Sequence, residues 1–181
     1  MRISSPQLSA AVLITALLLG CNKVDFGPDE GYTQRDANNN PTGSTDKTDW
    51  TSDQDWKKTE RELFKDSGVD LGQSQLGGVG TLSLYPSPVA QTAGLVIQPG
   101  PSRNPSTAPA LHGKLVIVDK KYRTVYTTSI ETRAGNVGNN YRLDLLPDKF
   151  KAGRMYRMYY IFYDDQNALY LKGHGDILID K

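Results

Sequence analysis

Two histidines and one cysteine are the residues of this chain best equipped for metal binding, proton transfer or nucleophilic attack. Neither His112 nor His174 has a second histidine or a carboxylate at the spacing of a metal site, so no metal centre and no cofactor is expected. In Gly173-His174-Gly175-Asp176 the flanking glycines let the backbone pass close to a neighbour and permit positive φ. Two readings follow: a turn or bulge, or a backbone approach to a ligand through His174. Asp164-Asp165-Gln166-Asn167 has hairpin-loop composition and lacks the alternating carboxylates of a calcium loop. There is no Gly-x-Ser-x-Gly elbow and no glycine-rich phosphate loop. No catalytic constellation is present, and the expectation is a protein that is not an enzyme.

Cys21 offers a different chemistry. It ends the run Leu17-Leu18-Leu19-Gly20-Cys21, and residues 8–19 are apolar apart from Ser9 and Thr15. The run is preceded by a short segment whose one positive side chain is Arg2. A dozen apolar residues match the roughly 7–15 of an export-signal core. They fall short of the roughly 20 that span a bilayer. The thiol follows a small residue at the end of this run. Beyond Cys21 the chain has no thiol, which excludes disulfides within the rest of the chain and thiolate metal sites there.

These residues resemble the signal of bacterial lipoproteins, which closes on a Leu-(small)-(Gly/Ala)-Cys box; Leu18-Leu19-Gly20-Cys21 stands in its place, with Leu19 bulkier than usual. The resemblance implies removal of residues 1–20, a diacylglyceryl thioether on Cys21 and an amide-linked third chain (palmitate or a similar acid). Each buried methylene contributes about 0.8 kcal/mol, so two or three chains hold a protein stably where one is marginal. Asn22, in place of Asp, resembles lipoproteins sent to the outer membrane. The implied location is the bacterial cell envelope, and the implied partner is the membrane itself. An ordinary secretory signal with Cys21 as a passenger is the alternative.

The elements downstream must position whatever surface this protein uses. The 21 basic and 20 acidic residues give a formal net charge of +1, with no overall basic footprint for nucleic acid. Residues 21–49 are rich in Asn, Asp, Thr, Gly and Pro, and Val24, Phe26 and Tyr32 are isolated. Such a stretch buries too little apolar area to offset its entropy, so a disordered tether is expected, with a reach on the order of 30 Å. Residues 50–68 hold a short amphipathic helix, read over 53–66. Ser52 and Asp55 form a variant capping box, Trp56, Leu63 and Phe64 lie on one face, and Gly68 is the stop. That face is read as docking on the next domain, with partner binding as the alternative. Residues 69–80 read as a glycine-rich linker.

Residues 81–181 carry strand patterns at 81–85, 94–98, 114–118, 124–130, 141–145, 155–163, 168–172 and 176–179. Polar turns and a loop with four prolines over 99–109 separate them. The fold class expected is all-β, a single immunoglobulin-like antiparallel sandwich. From Ser83 onward the layout is similar to the C-terminal β-sandwich sorting domain of proteins exported by the type IX secretion system. Leu84-Tyr85-Pro86-Ser87-Pro88 stands for that family's Tyr-Pro-Asn-Pro element, with Ser87 in place of Asn. This resemblance implies the same sandwich fold and an envelope context.

One strand stands out. Alternation over 156–163 sets Tyr156, Met158, Tyr160 and Phe162 against Arg157, Tyr159, Ile161 and Tyr163. One row is core. The other is either buried as well, making this a central strand, or it exposes Arg157, Tyr159 and Tyr163 as a recognition surface for a protein or glycan, with His174 as a further candidate. The function expected is a membrane-anchored, non-catalytic binding module. The alternative is a structural or secretion accessory domain recognised by an envelope machine, for which an apolar exposed sheet edge would be the sign.

Overall fold

The computed structural model describes residues 23–27, 31–100, 108–135 and 138–181. Cys21, the apolar run before it and residues 101–107 of the proline-rich loop lie outside the described residues. The strands are β1 (Thr51–Ser52), β2 (Val79–Tyr85), β3 (Thr92–Pro99), β4 (His112–Val118), β5 (Thr124–Glu131), β6 (Asn139–Asp144), β7 (Met155–Tyr163) and β8 (Leu169–Leu178). They form two antiparallel sheets, a five-stranded one in the order β1-β8-β7-β4-β5 and a three-stranded one in the order β2-β3-β6. The molecule is an all-β sandwich, as the strand patterns predict.

Period-two alternation explains the interior. Tyr156, Met158, Tyr160 and Phe162 of β7 point between the sheets. There they meet Leu82 and Leu84 of β2, Leu95 and Ile97 of β3, Leu115 and Ile117 of β4, and Leu143 of β6. Burying one such side chain is worth about 1.5–3 kcal/mol. The sandwich is closed at one end by Val89, whose N–H donates to Leu178 O at 2.8 Å while its own carbonyl accepts from Asp180 N–H at 2.8 Å.

The outer face of the five-stranded sheet carries a second core. Val116 and Val118 of β4, Tyr159 and Ile161 of β7, and Leu169 of β8 are covered by Val24, Trp56, Phe64 and Leu71. The segment expected as a tether is therefore, over its described residues, part of the fold. Val24 is 2 % exposed and its N–H donates to Lys120 O at 2.9 Å. Tyr32, Thr33 and Asp49 are buried. The isolated apolar residues suffice because a preformed sheet, rather than the segment itself, supplies the other half of each contact.

The helix is shorter than its pattern. It is α1 (Lys58–Glu62), followed by a single 3-10 turn over Lys65–Ser67 that ends on Gly68 at φ 75°. Ser52 belongs to β1, so the Ser52/Asp55 box is not used; Glu60 Oε2 instead accepts from Lys57 N–H at 2.5 Å. The expected docking face is real: Trp56 and Phe64 stack at 5.3 Å, and Trp56 meets the Tyr159 ring edge-on at 5.6 Å. The linker at 69–80 is anchored as well. Leu71 is buried, its carbonyl accepts from Lys172 Nζ at 2.7 Å, and Leu76 N–H donates to Leu169 O at 2.9 Å.

Candidate functional site

The four residues proposed as a recognition surface fall on one face, and the structure closes most of it. Antiparallel register sets Arg157 opposite Asp176 and Tyr159 opposite His174 across β7 and β8. Arg157 is 8 % exposed and Tyr159 1 %, both covered by the N-terminal layer. Tyr163, at the end of the strand, and His174 are partly open. The reading that exposes Arg157, Tyr159 and Tyr163 together is thus corrected: β7 is a central strand buried on both faces.

What lies there is a buried polar network. Arg157 Nε and Nη2 donate to the two carboxylate oxygens of Asp176 at 2.7 and 2.6 Å. Burial works to discharge the guanidinium, but its bidentate pairing with Asp176 outweighs this and holds Arg157 above its ordinary value. Burial likewise pushes the Asp176 carboxyl up. Two short, parallel N–H donors nevertheless require an ionised acceptor, and the pair is charged. The Phe26 ring lies 5.5 Å from the guanidinium carbon, a cation–π cover. Beyond it, burial raises Tyr159, whose hydroxyl lies 3.2 Å from that of Tyr122.

Asp49 joins the same network from the N-terminal layer. Its Oδ1 accepts from Asp176 N–H at 2.5 Å and its Oδ2 from Thr33 N–H at 2.8 Å. Burial, with the neighbouring Asp176 charge adding to it, pushes the Asp49 carboxyl up to about 7 against those two donors. The folded state therefore holds this proton more tightly than the unfolded chain, whose value is 3.8. Stability contributed by the protonated group is complete below about pH 4 and is lost as pH rises to about 7. Thermal melting across that range is expected to show wild-type protein losing ground against Asp49→Asn, with the difference flat above pH 7. A pH-independent difference would show Asp49 to be ionised and well solvated.

His174 is neither in a turn nor on a ligand-facing bulge. Gly173-His174-Gly175 runs straight through β8, and the expected break there is corrected. A Cβ on Gly175 would lie 2.2 Å from the Trp50 ring, and one on Gly173 would lie within 2.9 Å of the Tyr160 ring. Gly175 thus makes room for the Trp50 ring, and Gly173 for the Thr51 carbonyl oxygen of β1, 2.0 Å from where its Cβ would be, as well as for the Tyr160 ring. His174 points outward, 16 % exposed, with Nδ1 2.7 Å from Asp53 Oδ2. That oxygen also accepts from Trp56 Nε1 at 2.7 Å. Histidine and acid here tie α1's approach to the sheet.

Two surface features remain, at opposite ends of β4. At its start His112 lies between Asp165 (Nε2 to Oδ1, 2.7 Å) and Glu131 (Nδ1 to Oε1, 3.6 Å), beside the Tyr163 ring at 5.5 Å. His112 and both carboxylates are more than a third exposed, so this is a solvated surface group. Sequence spacing did not show it, because the three residues come from β4, β5 and the loop after β7. Among the described residues no group of three His, Cys, Asp or Glu side chains could hold a metal ion. At the other end of β4 is a cleft of about 530 Å³ between the β4–β5 turn and the start of β7. Basic side chains line it, and no motif marked it because they come from three separate stretches of chain.

No family model and no curated protein matches the chain. Among solved structures, a crystal structure of a glycosyl hydrolase family 2 member from Bacteroides cellulosilyticus DSM 14838 is similar over 56 % of this chain at 16 % identity and a TM-score of 0.32. The chain spans 14 % of that protein's length.

Proposed function

We propose that this protein is a lipid-anchored lipoprotein of the bacterial cell envelope, with an outer-membrane destination, whose β-sandwich is a non-catalytic binding module. The observation that carries the reading is the position of the sole cysteine, Cys21, at the end of the apolar run and directly after Leu18-Leu19-Gly20. Among the described residues no helix is long and apolar enough to cross a membrane. Acyl chains on Cys21 would supply the attachment.

The binding role has a different basis. Arg157, Asp176, Asp49 and His174 spend their polar atoms on one another or on the N-terminal layer, so the open ends of the sandwich are the surfaces left for a partner. Of the four edge strands, β5 presents Thr124, Thr127, Ser129 and Glu131, and β6 presents Asn140, Arg142 and Asp144, polar rows that do not favour strand addition at those two edges.

Expression in a lipoprotein-processing bacterium is expected to yield a chain beginning at Cys21 with a diacylglyceryl group and a third acyl chain by mass spectrometry. Globomycin should make the precursor accumulate, and Cys21→Ser should remain uncleaved. An intact N-terminus carrying a free thiol would overturn the reading.

A further inference from the structure

Lys23, Lys120, Lys121, Arg123, Lys151 and Arg154 line the cationic cleft, and among the described residues the one carboxylate in its wall is Asp119. Asp119 is already engaged: its Oδ1 accepts from the N–H groups of Lys121 at 2.8 Å and Arg123 at 3.0 Å, and Arg123 Nε donates to its Oδ2 at 2.7 Å. Lys151 Nζ donates only to main-chain carbonyls, Pro147 O at 2.9 Å and Asp148 O at 3.3 Å. Among the described residues no carboxylate is within ion-pair distance of Lys23, Lys120, Lys121, Lys151 or Arg154. All six cations are exposed. Removal of residues 1–20 takes away Arg2 and no acid, leaving 20 basic and 20 acidic residues. The mature chain is neutral overall, whereas the described lining of this cleft holds six cations against one carboxylate.

The position of this end matters as much as its charge. Lys23 stands two residues after Cys21, so their α-carbons are at most about 7 Å apart. Val24 is fixed immediately afterwards, buried in the second core and hydrogen-bonded to the carbonyl of Lys120 in the same cleft wall. A lipid on Cys21 therefore places its bilayer against the basic end and not against the His112 end.

We infer that the basic end of the sandwich docks on anionic phospholipid head groups of the membrane that holds the lipid on Cys21. The cleft has a volume of about 530 Å³, and its cations come from the β4–β5 turn, the loop before β7 and Lys23 of the N-terminal segment. Each cation held near an anionic surface changes occupancy about fivefold, an effect that fades beyond a Debye length of about 10 Å at moderate salt. The docked orientation sends His112, Tyr163, Asp165 and Glu131 away from the bilayer.

This inference rests on the proposed lipid anchor, and one experiment separates the two. The processed full-length protein is reconstituted into vesicles of phosphatidylcholine alone and into vesicles containing phosphatidylglycerol. Flotation with the neutral vesicles reads the anchor. Acetylation of individual lysines, mapped by mass spectrometry, reads docking. Lys23, Lys120, Lys121 and Lys151 are expected to react several-fold more slowly on phosphatidylglycerol vesicles, with Lys47 and Lys114 unchanged and high salt erasing the difference. The double variant K120E/K121E, at exposed positions whose backbone bonds do not involve the lysine side chains, should float equally well and lose the protection of Lys23 and Lys151. Equal labelling on both vesicle types overturns docking even when flotation succeeds. A protein that fails to float with neutral vesicles but binds anionic ones in a salt-dependent way overturns the anchor alone, and one that binds neither overturns both.

Discussion

Asp176→Ala is expected to destabilise the fold by about 3–5 kcal/mol, because it leaves the Arg157 guanidinium buried without its counter-charge. The pair is 10 % and 2 % exposed at its two side chains, too little for water to replace the lost carboxylate. Urea denaturation followed by circular dichroism measures the effect. Replacing both partners at once, as in Arg157→Met with Asp176→Leu, should cost far less than the single change, since no orphaned charge remains. A loss near 1 kcal/mol in the single variant would mean that solvent reaches the guanidinium and that the N-terminal layer is loosely held.

Phe64→Ala is expected to cost about 3–5 kcal/mol, through lost transfer energy and the cavity left behind. Phe64 is 1 % exposed, stacked on Trp56 over the outer face of the five-stranded sheet. The size of the effect distinguishes an integral layer from an appended one. Loss at the global transition would show that α1 and the sandwich unfold together. An unchanged midpoint, with faster tryptic cleavage only at Lys57, Lys58 and Arg61, would show that the segment peels off on its own.

The strands were legible because they obey one rule. Apolar or aromatic residues alternate with polar ones in β2, β5 and β6, and apolar runs mark β4 and β7, so period-two reasoning locates these five to within a few residues; β1 is not expected from the sequence, and β8 reads there as two strands, 168–172 and 176–179. What stayed hidden depends on tertiary partners. Gly173 and Gly175 look like punctuation in the sequence, yet each marks a place where a group from elsewhere occupies the space of a missing side chain, the Thr51 carbonyl and Tyr160 ring at Gly173 and the Trp50 ring at Gly175. Val24 and Leu71 look too sparse to fold, yet each packs into the second core on a sheet already built. Asp53 and Asp55 suit the first turn of a helix, but Asp53 is taken by Trp56 and His174, and the helix begins later. The site reading failed for the same reason. Alternation put Arg157 and Tyr159 on one face, but it cannot say whether another part of the chain covers that face.

The chain has only two tryptophans. Trp50 lies nearly parallel to the Tyr160 ring, 6.4 Å away in the inner core, and Trp56 caps Tyr159 on the outer side. Both belong to the stretch that joins the N-terminal layer to the sheet, one on each side of it. Indole emission from this protein is therefore a built-in gauge of that joint: any event that lifts the layer wets both fluorophores together.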